Sequence, residues 1–94
     1  MNYKLEFEEN ALKEFKKLGS TLQVQFKKKL ISVLENPHIP ANKLCGMRDC
    51  YKIKLRASGY RLIYQVYDYE IIVLVLAVGK RDRSEIYQIA KTRI

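Results

Sequence analysis

The sequence predicts an α+β fold: a mostly antiparallel sheet with an N-terminal αα-hairpin on one face and a short C-terminal helix. Three observations carry this. The chain opens on strand-period alternation, passes into two stretches of helical spacing, and then runs through three strand-like segments before a last helical stretch. The resulting order is βααβββα. With 94 residues, 48% of them hydrophobic, the chain is one domain, residues 1–94, with a core of its own.

In "NYKLEFE", Tyr3, Leu5 and Phe7 alternate with Asn2, Lys4 and Glu6, the period of a half-buried strand. "ENALKEFKKLG" changes period: Ala11, Leu12, Phe15 and Leu18 share a helical face. Gly19 is placed to end that helix in the left-handed conformation. Ser20 and Gln23 have the spacing of a capping box for a second helix, whose apolar stripe is Leu22, Phe26, Leu30, Val33 and Leu34. Of Lys27, Lys28 and Lys29, at least two must lie off that stripe, as on any solvated helix face. Pro37 and Pro40 stop the helix, and "ANKLCGMRDC" reads as a loop or short edge segment.

Strands are expected over residues 51–56, 61–67 and 71–78, the first two joined by a turn containing Ser58 and Gly59. The third is apolar throughout and belongs at the centre of the sheet, covered on both faces. Ser84 is placed to cap the final helix.

The middle hairpin, "YKIKLRASGYRLIYQV", poses the functional question. If Arg56 faced Tyr60, the lysine face would also carry Leu62 and Tyr64. If Arg56 faces Arg61, then Tyr51, Ile53, Leu55, Leu62, Tyr64 and Val66 line one face, and Lys52, Lys54, Arg56 and Arg61 share the other. Burial selects the second arrangement, because a one-residue slip moves every side chain to the opposite face. Cations therefore converge on one face, where they repel unless an anion joins them.

The overall balance agrees. Eighteen Lys and Arg against ten Asp and Glu give a formal charge of +8, which points to a polyanionic partner, nucleic acid before membrane or acidic protein. The N-terminus lacks a secretory pattern, and "IIVLVLAV" is too short to cross a bilayer, so a cytoplasmic protein without a membrane partner is expected. Cys45 and Cys50 suit neither a zinc ribbon nor a redox pair, and His38, the single histidine, cannot hold a metal alone. No cofactor is expected.

By alternation Arg81 is in line with Ala77 and Gly79, whose small side chains leave room for a ligand. A helix carrying Tyr87 can fold back over the same face. The set Lys52, Lys54, Arg61, Arg81 and Tyr87 contains no carboxylate or histidine. RNA cleavage can run on such a set, because RNA brings its own nucleophile, the 2′-hydroxyl. Clustered cations stabilise the charge that builds on the phosphorus centre and depress one another's pKa. Arg61 suits bidentate phosphate binding. A basic sheet face equally fits binding nucleic acid without cutting it.

The strings "NALKEFKKLGS", "DCYKIKLR", "SGYRL" and "VGKR", with the end-to-end order of the chain, resemble the RelE toxins of bacterial toxin–antitoxin systems. The resemblance implies a microbial-ribonuclease-like fold and an endoribonuclease, an mRNA interferase independent of metal, that cuts mRNA in the ribosomal A site. It implies 2′-hydroxyl attack giving a 2′,3′-cyclic phosphate and a 5′-hydroxyl. It implies Lys54 as base, Lys52 as its electrostatic support and Arg61 on the scissile phosphate. Arg81 would be acid or charge, and Tyr87 would stack on the substrate. Arg48, Arg56, Lys80 and Arg83 would contact mRNA or ribosomal RNA. The implied partners are a neutralising RelB-type antitoxin and the 70S ribosome, with operator DNA reached only through the antitoxin complex. One departure is Cys45, where close relatives carry a basic residue; Arg48 lies nearby. ParE-type toxins, which share the fold and poison gyrase, are the rival class.

Overall fold

The computed structural model describes residues 2–80 and 85–94. Its elements are β1 (Lys4–Phe7), α1 (Glu9–Lys16), α2 (Ser20–Glu35), β2 (Cys50–Leu55), β3 (Tyr60–Tyr67), β4 (Ile72–Lys80) and α3 (Glu85–Thr92), with a 3-10 turn at Pro40–Asn42. They follow the expected order. One four-stranded sheet runs β1-β4-β3-β2, with β1 parallel to β4 and the other pairs antiparallel. Among the described residues no helix is long and apolar enough to cross a membrane.

The αα-hairpin covers one face of the sheet. Ala11 and Phe15 of α1 and Phe26, Leu30 and Val33 of α2 bury against Tyr51, Ile53, Leu62, Tyr64, Val73 and Val75. On the other face, Ile86 and Ala90 of α3 pack against Ile63, Leu76 and Ala77. Strand β4 is therefore buried on both sides, as its unbroken apolar run requires.

A bulge makes that double burial specific. Ile63 pairs with Ala77 but Tyr64 pairs with Val75, so Leu76 has no partner on β3. The extra residue turns Leu76 and Ala77 to the same side. Beyond it, Val78 returns to the hairpin side and Gly79 to the α3 side.

The helix ends differ from their expected chemistry. Gly19 is extended, at φ −61° and ψ 157°, and stands at the start of α2 instead of ending α1 in the left-handed region. Ser20 makes no capping bond. Gln23 instead turns back across the hairpin, its amide donating to the carbonyls of Leu18 (2.9 Å), Phe15 (3.2 Å) and Lys16 (3.3 Å). It satisfies acceptors that the end of α1 leaves open. The start of α1 is closed by Glu8, whose carboxylate accepts from the amides of Asn10 and Ala11. Ser84, expected to cap α3, lies outside the described residues.

Candidate active site: a cationic row across the sheet

The β2–β3 hairpin sets the row. Lys54 pairs with Arg61 and Ile53 with Leu62, while Arg56 lies in the turn over residues 56–59. The face assignment expected from burial holds: Lys52, Lys54 and Arg61 share the side away from the αα-hairpin. The register differs by two residues from the expected facing of Arg56 and Arg61. Alternation fixes only which face a residue takes, and a shift of two keeps that face. The turn decides the rest, with Gly59 at φ 77° and its amide donating to the Leu55 carbonyl.

Arg61 in turn faces Gly79 on β4, so Lys54, Arg61 and Gly79 form one row and Lys52, Ile63 and Ala77 the next. The space beside Ala77 and Gly79 is partly taken by α3. A Cβ on Gly79 would lie 3.7 Å from Cδ1 of Ile86. The small residues seat α3 against the sheet, and a cavity of ≈ 250 Å³ lined by Ala77, Gly79, Ile86 and Glu14 remains beside them.

Seating α3 brings Tyr87 over the row. The Arg61 guanidinium donates through Nη1 to the Tyr87 hydroxyl, and its carbon stands 5.8 Å from the ring centroid. Ile86 and Ala90, one helical turn apart, point into the core, which leaves the neighbouring Tyr87 half-buried at the rim.

Lysine chemistry changes in this setting. Lys52 beside Lys54 is the main cause holding the Lys54 ammonium below the usual lysine range. Partial loss of solvent, Arg61, a side-chain hydrogen bond with Lys52, and Arg56 act in the same direction. Each neighbouring charge penalises the protonated form, so Lys54 gives up its proton more readily than an isolated lysine. Arg61 has one hydrogen-bonding edge already directed at Tyr87.

Four of the five expected chemical residues thus meet: Lys52, Lys54, Arg61 and Tyr87. Arg81 and Arg83 lie outside the described residues. The expected outer contacts are more scattered. Arg56 is exposed in the hairpin turn, close enough to act on Lys54. Arg48 projects into solvent with its side chain 94% exposed, 3.9 Å from the Asp49 carboxylate. Lys80 shares its row with Tyr60 and Leu55, on the alternate phase from Lys54 and Arg61, and so does not join the cationic face.

Two features escaped the sequence reading. Lys29 of α2 donates to the main-chain carbonyl of Lys54 at 2.9 Å. With Lys28, Ser32, Lys52, Lys54 and Arg56 it lines a groove of ≈ 650 Å³ between α2 and the outer strand β2. A lysine triplet on an amphipathic helix carries no signal of which member reaches a strand. His38 is the second. Its Nε2 donates to Asp68 at 2.8 Å, and its Nδ1 accepts from the Tyr51 hydroxyl at 2.8 Å. Asp68 also accepts from Tyr3 at 2.7 Å. This network sits apart from the cationic row and pins the loop after α2 to the end of the sheet. Among the described residues no group of three or more His, Cys, Asp and Glu is placed to hold a metal. Burial pushes the Cys50 thiol up to about 11 and keeps it protonated.

A small sheet with an αα-hairpin on one side and a basic row under a C-terminal helix on the other is the build of a bacterial toxin. The family model for the ParE toxin of the type II toxin–antitoxin system parDE matches residues 5–85, and the chain belongs to this RelE/ParE family of type II toxins. Within the family its full length follows RelE. It is 64% identical over 94 residues to the mRNA interferase toxin RelE of Escherichia coli K12, covering 100% of this chain and 99% of that one. A putative RelE-like toxin protein, also of Escherichia coli, is 56% identical over 94 residues, with the same coverage. Among solved structures, a double arginine-to-alanine variant of E. coli RelE in the free state matches with a TM-score of 0.93 at 62% identity, covering 100% of this chain and 99% of that one. The intact E. coli RelBE toxin–antitoxin complex contains a chain matching at a TM-score of 0.84 and 64% identity, over 86% of this chain and 99% of that one.

Proposed function

We propose that the chain is an mRNA interferase, a toxin that cuts mRNA in the ribosomal A site and thereby stops translation. The observation that carries this is the row of Lys54 and Arg61 with Lys52 behind and Tyr87 above. It combines a lysine with depressed proton affinity, an arginine for a phosphate and an aromatic ring for a base. Lys54 takes the proton of the 2′-hydroxyl as that oxygen attacks the adjacent phosphorus. The bond to the 5′-oxygen breaks, leaving a 2′,3′-cyclic phosphate and, once a proton is supplied, a 5′-hydroxyl. Lys52 keeps Lys54 ready to accept, Arg61 holds the phosphate oxygens as their charge grows, and Tyr87 orients the nucleotide by stacking. Arg81 supplies the leaving-group proton or further positive charge.

None of these groups is a strong base or acid at neutral pH, so alignment must supply much of the acceleration. A ribosome that presents the mRNA with its 2′-hydroxyl in line can lower the barrier by up to about 7–11 kcal/mol. Naked RNA should then be a poor substrate. A RelB-type antitoxin is the neutralising partner: E. coli RelE has been solved with RelB, and with a RelB peptide in the free variant's background. An acidic, flexible inhibitor complements the +8 charge.

The deciding experiment uses mRNA on programmed ribosomes with a single 2′-deoxy substitution before the cut. Cleavage should stop, because the nucleophile is gone; continued cutting would show that water attacks and would sink the mechanism. The ParE name of the matching family model motivates one further assay. Gyrase cleavage complexes formed by the purified protein, with mRNA left intact, would replace this reading with gyrase poisoning.

A further inference from the structure

We infer that Arg93, gripped by Glu14, is a positioning residue that sets Tyr87 over the cationic row. The inference rests on the role proposed for Tyr87 and extends it to a contact on the far side of α3.

Helix α3 is eight residues long and buries only Ile86 and Ala90 fully. So short a helix does not hold itself in water, and its place depends on what docks it. Arg93, just past its end, provides a dock. Its Nη1 donates to Glu14 Oε1 at 2.9 Å and to the Leu76 carbonyl at 3.0 Å, and its Nη2 donates to Glu14 Oε2 at 2.9 Å. Nε lies 3.8 Å from Glu8 Oε1. The arginine side chain is only 15% exposed. A two-pronged pair of this kind fixes direction as well as distance.

The pair also fills a structural vacancy in the sheet. Strand β1 ends at Phe7 opposite Val75, and the Glu8 amide makes the last bond to the Val75 carbonyl. Beyond the bulge, β4 turns the Leu76 carbonyl and the Val78 amide toward the side where β1 has stopped. Arg93 donates to the first, and Glu14 Oε1 accepts from the second at 3.1 Å. Two side chains thus continue the edge that a fifth and sixth residue of β1 would have paired. Glu14 on α1, the edge of β4 and the end of α3 become one unit. With the end of α3 fixed there and Ile86 seated over Gly79, Tyr87 has one place to lie, against Arg61.

The test measures single-turnover cleavage on saturating programmed ribosomes, together with ribosome affinity and hydrogen exchange of the α3 amides. Arg93→Ala should lower the rate between about 10- and 100-fold, the scale of a misplaced catalytic group. Affinity should stay unchanged, since Arg93 faces away from the row. Exchange should quicken in α3 and not in β2 or β3. In a Tyr87→Ala background, Arg93→Ala should cost nothing more, because the group it positions is already gone. Glu14→Gln, which keeps an acceptor for Val78, should give a smaller loss of the same kind and serves if Arg93→Ala folds poorly. An unchanged rate in both Arg93→Ala and Glu14→Gln overturns the inference, and so does a full, multiplicative loss in the Tyr87→Ala background. If Tyr87→Ala alone leaves the rate intact, the role of Tyr87 fails first. In that case quickened exchange in α3 without any change in rate would show that the clasp holds the helix to no catalytic end.

Discussion

At the scale of single residues, charge spacing governs both the chemistry and the stability. If Lys54 is the base, as proposed, it acts only when neutral, so the cleavage rate should climb with pH and level off above its lowered pKa. Lys52→Ala removes the main cause of that lowering. The pH–rate profile of the variant, taken under single turnover, should move to higher pH; an unmoved midpoint would dissociate Lys52 from the base. Asp68 behaves in the opposite sense. Hydrogen bonds from His38 and Tyr3 hold its carboxyl below the usual carboxylate range. Its stabilisation is therefore complete above the unfolded value near 3.9 and is lost as pH falls through the folded one. Thermal melts should show Asp68→Asn less stable than the parent at neutral pH, with the gap closing in acid below about pH 4. The lysine face was legible because alternation alone assigns faces. The His38–Asp68 pair was not, since nothing local in "NPHIPAN" says that a turn thirty residues on will meet it.

Among the elements, the β2–β3 hairpin has the sharpest requirement. Gly59 sits at φ 77°, and a Cβ there would meet nothing within 4 Å. Gly59→Ala should therefore cost backbone strain alone, about 1 kcal/mol, seen as a fall in Tm of about 4–8 °C for a domain of this size. A drop well beyond that would mean the hairpin re-registers. Element type and order could be read from periodicity because each stretch keeps one period long enough to show. The helix ends could not. Gln23 has capping-box spacing from Ser20, yet its amide is drawn to the open carbonyls of α1, a choice that exists only once the hairpin has closed. The two-residue offset at Arg56 has the same origin, since either offset buries the same apolar set. Nor did sequence reveal that the first strand pairs in parallel with the last, a contact made across most of the chain.

For the molecule as a whole, the +8 charge should appear as salt dependence. Affinity for programmed ribosomes should fall steeply between low and physiological salt, and Lys28→Ala with Lys29→Ala should flatten that slope if the groove beside β2 meets phosphate. Identical slopes for parent and double variant would assign those lysines to solvent. The sheet carries a second molecule-wide constraint in its bulge. Strand β4 is apolar in both phases, so its composition does not mark where one phase gives way to the other; Leu76 alone does. The strand thus has something like a reading frame. Substituting one of its apolar residues for another perturbs packing locally, whereas removing a residue away from the bulge re-phases the strand on one side of the change. Without Leu76 the strand would alternate regularly, with Val75 and Val78 still toward the αα-hairpin and Ala77 and Gly79 still toward α3, so the bulge adds one side chain to the α3 side without moving the others. Such a chain can drift freely in the letters of this strand, while its length can change at the bulge and hardly anywhere else.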